Sequence, residues 1–286
     1  MEHSQHLRGA TFWWRVLKTA VSNWLRDRAP SMGAALAFYT VFSLAPLLLL
    51  VIAVAGLAFG HAESQGAIIA QVADLVGPDG AAVVEKMLRS ASHARSGIIA
   101  TAIGLGTLVV GATAILGELQ ASLNVIWKRR AQAGTGIRQL VKGRLISFSL
   151  ILAFGFVFLV SLSISAALAA FRHYIGSLLP VLPTLIAAIN EIFAFVVITA
   201  LIGLIFKIVP DAKVEWRAAA VGAAVTTVLF SGGKYLIGLY IGSSSAVSTH
   251  GAAGALVVIL LWVYYSSQIL LLGAEFAKAY SDVTQS

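Results

Sequence analysis

The chain has 286 residues, of which 59% are hydrophobic and 11% charged, with a formal net charge of +8. Soluble domains carry about 25% charged residues, so this composition excludes an ordinary soluble enzyme, a disordered chain and a fibrous repeat, and leaves an integral membrane protein. Cysteine is absent, which excludes disulfides and thiolate metal sites.

In chain order, residues 1–30 read as a cytoplasmic segment. Within Thr11 to Arg28, Trp13, Leu17, Val21 and Trp24 fall at helical spacing, with Arg15, Lys18, Ser22 and Arg26 on another face. That pattern predicts an amphipathic helix on the membrane surface, its tryptophans at the interface and its cations near anionic lipid. A topology anchor with no further role is the competing explanation.

Six stretches are then long and apolar enough to span a bilayer as helices: Gly33 to Phe59, Gly97 to Ile126, Leu145 to Phe171, Val181 to Phe206, Ala218 to Ile241, and Gly251 to Leu272. The run from Leu47 to Ile52 has none of the alternation of a barrel strand, so helices are favoured. The first stretch is too long for a signal peptide and no small-residue cleavage pattern ends it, so retention is expected. Between the first two spans, residues 60–96 form a long external loop. Ile68, Val72 and Leu75, then Val83, Met87 and Ala91, predict two short amphipathic helices broken from Gly77 to Gly80, with Asp79 as N-cap. The fold class is thus all-α: a polytopic membrane protein with one domain, 31–280, and a cytoplasmic tail, 281–286.

Orientation follows the cations. Arg8, Arg15, Lys18, Arg26 and Arg28 precede the first span, and Lys128, Arg129, Arg130, Arg138, Lys142 and Arg144 follow the second. Lys207, Lys213 and Arg217 lie between the fourth and fifth, and Lys278 follows the sixth. The opposite side holds Lys86, Arg89, Arg95 and Arg172. Both termini are therefore expected in the cytoplasm. Topology alone accounts for the positive charge, so a nucleic-acid partner is not expected.

Charge within a span is costly and marks candidate function. Glu118, Glu191 and Lys234 are the three ionisable residues inside the apolar stretches. Glu118 shares a face with the small residues Gly104, Thr107, Gly111, Ala114 and Ala121, a face expected to meet another helix. Thr227, Ser231 and Lys234 share one with Ala220, Ala224 and Gly238. Tyr264, Gln268 and Glu275 line the sixth span, and Tyr39, Ser43 and Pro46 the first, where the proline can kink the helix. Such stripes suit a bundle around a wet cavity, although paired charges and small-residue stripes can also serve packing alone. Glu275 and Lys207 read as ordinary boundary charges. Gly238 to Gly242 is a GxxxG pattern, a weak sign of close helix contact.

Soluble-type catalysis has no signature here. His61, His93, His173 and His250 match no zinc spacing, no Walker lysine loop occurs, and Asp27, Asp211, Glu215 and Asp282 are too dispersed for a two-metal nuclease. The expectation is a protein that is not an enzyme, with no metal and no cofactor.

Several patterns carry a family resemblance: Phe38 and Tyr39 with the run Phe42, Ser43, Leu44, Ala45, Pro46; Leu123, Asn124, Val125, Ile126, Trp127; Val209, Pro210, Asp211 with Trp216 and Arg217; Leu261 to Tyr264 with Gly273, Ala274 and Glu275. In order and spacing they resemble the YihY/BrkB family of bacterial inner-membrane proteins, long labelled ribonuclease BN. The resemblance implies a multi-pass protein of the cytoplasmic membrane associated with the envelope and virulence, and marks Tyr39, Ser43, Pro46, Asn124, Lys234 and Glu275 as motif positions. The nuclease label finds no support in the residues. The expected function is a transporter or flippase-like exporter of an anionic or amphiphilic envelope compound, with Lys234 as a cationic contact. A non-transporting envelope factor that binds a partner or lipid is the alternative. The bilayer is the expected partner, and an oligomer is compatible with the sequence.

Overall fold

A computed structural model describes residues 2–43, positions scattered from 65 to 89, 114–128, 182–243 and 246–285, with side chains described at 11–43, 114–128, 191–233 and most of 257–285. The described residues are helical, joined by short turns. Helix α1 is Glu2–Arg26, α2 runs from 29 and is described to 43, and α3 is Ala114–Ile126. Helices α4, α5 and α6 are Leu182–Ile208, Trp216–Ser243 and Ala246–Gln285. The third predicted span, most of the first two, Pro46, and the proposed Asp79 cap lie outside the described residues. In the loop expected at 60–96, the described positions (65, 66, 68–70, 73, 81, 82, 84–86, 88 and 89) are helical and bury Ile68, Ala81, Val84 and Leu88, with Arg89 paired to Glu85 at 2.5 Å.

Local sequence explains the helix ends. Lys207 occupies the last turn of α4, favourable against its carbonyl end, and Val209 and Pro210 follow, where proline cannot continue the ladder. α1 and α3 each end in a residue of left-handed conformation, Arg28 at φ 57° and Lys128 at φ 51°. Neither is glycine, so each turn carries a steric cost of roughly 1–2 kcal/mol.

The 40 residues of α6 span about 60 Å at 1.5 Å per residue, twice the ~30 Å hydrocarbon core. One end must project, and its last turns, with Lys278 paired to Asp282, are suited to the boundary. The residues expected as a tail are thus helical through Gln285. α6 is also the spine of the packing. α5 lies against it, α4 packs on α5, and α1 lies along its C-terminal half. Val16 and Ala20 of α1 are buried against Phe276 and Ala279, and Trp13 stacks on Phe276 and Tyr280 with centroids 6.1 and 5.9 Å away. α1 therefore has two apolar faces rather than the single one expected. One is fastened to α6, while Trp14, Leu17, Val21 and Leu25 stay exposed.

A second cluster gathers the start of α2, the ends of α3 and α4, the start of α5, and α6. Ala29, Leu36, Leu123, Ile126, Phe206 and Leu271 are its buried centre, with Trp24 and Trp127 packed on it. Away from these clusters, large apolar side chains face outward, Ile192 at 65% and Val196 at 57% exposure among them. Among the described residues, two stretches are long and apolar enough to cross a membrane, Glu191–Ile208 and Ile259–Gln285. An apolar surface of this kind is stable only against lipid or another protein.

Candidate functional site

The polar residues predicted along the helices do not share one site. Glu118 is half-buried, on the outer side of α3; Leu119, Ser122, Leu123 and Ile126 make the packed side. Of the face expected to meet another helix, Ala114 and Glu118 are half-buried and Ala121 is exposed, and Gly104, Thr107 and Gly111 lie outside the described residues. Glu191 is exposed on α4, and Ser231 on α5. Lys234 lies in the helical run of α5, its side chain outside the described residues. Tyr39 is partly exposed, and Ser43 is buried.

Thr227 is buried and engaged. It donates to Ala223 O at 2.9 Å and accepts from Thr199 of α4 at 3.0 Å, so this hydroxyl ties two helices together. Gln268 reaches across to α2, donating from Nε2 to Pro30 O at 3.3 Å, and occupies the space left by Gly33, where a Cβ would collide with its amide. Asn124 is the most completely paired. Its Nδ2 donates to Asp211 Oδ2 at 2.9 Å and its Oδ1 accepts from the Asp211 backbone N–H at 2.8 Å, while Gln120 donates to the same carboxylate at 3.3 Å. Beside this clasp, Lys207 donates to Val214 O and lies over the Trp216 ring at 5.4 Å, as suits a boundary charge.

Glu275 differs from its expected role at the boundary. It is 0% exposed, and neither carboxylate oxygen has a hydrogen-bond partner among the described residues. Asp27, at the turn between α1 and α2, lies 3.5 Å from the Arg26 guanidinium. Beside Glu275 on α6, Phe276 and Ala279 pack against Val16 and Ala20 of α1, a contact that no local pattern announces. The Trp24 and Trp127 indole N–H groups and the Gln268 Oε1 are also buried without hydrogen-bond partners among the described residues. Asp211 and Thr199 are the residues that sequence reading missed as partners. Only Asp211 carried a signal, its place in the run Val209, Pro210, Asp211.

Helices that expose aliphatic surface outside and hold amides and a carboxyl between them define an integral membrane protein of the all-α class, in contact with the bilayer. The chain belongs to the family described as Virulence factor BrkB, which matches residues 20–286. It is similar to proteins named UPF0761 membrane protein: 31% identical over 274 residues to one from Azotobacter vinelandii, covering 92% of this chain and 61% of that one. A relative from Stenotrophomonas maltophilia is 32% identical over 263 residues, covering 89% and 58%, and one from Ralstonia nicotianae is 30% identical over 265, covering 91% and 57%. The chain thus spans less than two thirds of the length of these relatives. No solved structure matches it.

Proposed function

We propose that this chain is a transporter or flippase-like exporter, moving an anionic or amphiphilic envelope compound through a polar cavity in a bundle of six spans. Its place is the bacterial cytoplasmic membrane, with both termini in the cytoplasm, and it works without catalysis, metal or cofactor. The observation that carries this reading is that Gln268, which donates across to α2, and the wholly buried Glu275 follow one another at helical spacing on α6. Polar groups withdrawn from water inside an apolar bundle are expensive, and they recur where solutes or ions pass. On α5, Lys234 follows Thr227 and Ser231 at helical spacing and supplies the cationic contact.

A second reading is a non-transporting envelope factor. The bond between Thr199 and Thr227 favours it, because a polar stripe that closes on its neighbour serves packing. The ribonuclease reading stands last, since Asp211, Glu215 and Asp282 are engaged separately by Asn124, Gln285 and Lys278.

The test is accumulation of radiolabelled deoxycholate, an anionic amphiphile, in a deletion strain carrying wild-type protein, Lys234→Met or empty vector. Wild-type cells should accumulate less, and Lys234→Met, shown by its melting curve to be folded, should resemble the empty vector. Equal accumulation in all three defeats the transport reading for this class of compound.

A further inference from the structure

Helix α1 is held by α6 on one side. Val16 and Ala20 are buried against Phe276 and Ala279, and Trp13 stacks on Phe276 and Tyr280, which fixes how α1 is rotated about its own axis. Two stripes are left facing outward. Trp14, Leu17, Val21 and Leu25, between 41% and 66% exposed, follow one another at steps of three and four and form an apolar shoulder. Arg15, Lys18, Ser22 and Arg26 repeat those steps one residue later, about 100° further round the helix, and all four are exposed. Arg26 meets Asp27 at 3.5 Å. Between Glu2 and Asp27 the chain has no acid, so neither Arg15 nor Lys18 has one within a turn of its own helix.

The cluster that receives Trp24 draws the start of α2, the ends of α3 and α4 and the start of α5 to the same end of the bundle. Those ends carry Arg28, Lys128, Lys213 and Arg217, all exposed, and Trp216, 61% exposed with Lys207 over its ring. Acids at this end are engaged within the chain: Asp211 by Asn124, Glu215 by Gln285 and Asp282 by Lys278. Exposed cations among exposed tryptophans are the composition of a protein surface that meets anionic headgroups.

We propose that the outer face of α1 is a docking surface for anionic phospholipid in the leaflet at this end of the bundle. Trp14, Leu17, Val21 and Leu25 enter the boundary between headgroups and acyl chains, and Arg15 and Lys18 lie on the phosphates. Sequence periodicity places a helix on the membrane; the fastening to α6 selects which face the lipid meets. Because α6 is itself long and apolar enough to cross, the bilayer reaches α1 without any further partner. A second copy of this chain fits this face less well, since pairing about a two-fold axis sets one row of Arg and Lys near its equivalent, and like charges repel. Seating on α6 also lowers the ordering entropy that a free amphipathic helix loses on binding a membrane. The surface is independent of the transport reading, and it stands whether the bundle carries a solute or only packs.

The lack of native cysteine makes a direct test possible. Leu17→Cys in the full chain carries a fluorophore, and the protein is reconstituted in nanodiscs of phosphatidylcholine and phosphatidylglycerol, with one lipid or the other brominated high on its acyl chains. At equal mole fraction, brominated phosphatidylglycerol should quench more than brominated phosphatidylcholine, and the excess should shrink at high salt. Each cation near an anionic surface is worth about fivefold in binding, so Arg15→Gln combined with Lys18→Gln should remove most of the excess. Both side chains are exposed, so the fold should be unaffected, and a label at Leu25→Cys gives a second reporter at the far end of the stripe. Equal quenching by the two lipids overturns the proposal, as does an excess that survives unchanged in the double variant. It is equally overturned if neither lipid quenches while labelled copies transfer energy to one another, because a second copy would then occupy this face.

Discussion

Asn124 uses both ends of its amide on one partner, donating to the Asp211 carboxylate and accepting from the Asp211 backbone N–H. An ionised carboxylate of the same shape could only accept. Asn124→Ala should lower stability by about 1–2 kcal/mol, the usual cost of losing hydrogen bonds at a partly exposed site. Asn124→Asp should be worse than alanine despite its near-identical shape, because it sets a second carboxylate against Asp211. Thermal melting of the full chain in detergent ranks the two, and an aspartate variant as stable as wild type would contradict this account. At this scale the sequence showed which side chains were unusual and seldom what they meet. Asn124 was recognisable from its motif, yet its partner lies 87 residues on. Glu275, three residues past the last apolar stretch, reads as a boundary charge in sequence, yet it is wholly buried.

Small residues recur every three or four positions on several faces of α5, and spacing alone selects the one through Ala220, Ala224, Thr227 and Ser231. The contact with α6 uses another. A Cβ on Gly222 would come within 2.6 Å of both Ala277 Cβ and Gly273 O, and one on Gly273 would strike Thr226 Oγ1. Backbone cannot yield as a flexible side chain can. Gly222→Leu should therefore cost about 1–3 kcal/mol or more through overpacking, whereas Ser231→Leu, on an exposed surface, should change the melting temperature little. Equal losses in the two variants would mean that the α5–α6 contact is not the close one described. The same competition decided α3, where Leu119, Leu123 and Ile126 take the buried side and leave Glu118 at its edge.

For the molecule as a whole, the asymmetric distribution of Lys and Arg makes orientation a testable matter. With no native cysteine, single cysteines can be placed at Ser64, Ser177 and Ser244, expected outside, and at Gln132 and Ser286, expected inside, and probed with an impermeant thiol reagent on intact cells. The first three should label without lysis and the last two only after it. Labelling of Gln132→Cys in intact cells would invert the topology.

Composition and periodicity by themselves determined the class, the helical nature of the spans and the expected orientation. The bilayer imposes those demands on each segment separately, through length, apolarity and flanking charge, so they can be read locally. Only the tertiary structure decided that α1 is fastened to α6, that Thr199 meets Thr227, and that Asn124 closes on Asp211. Each of those contacts joins residues from different elements, and a stripe on one helix fixes only the direction a polar group points. Whether that direction leads to lipid, water or another side chain depends on how the helices pack.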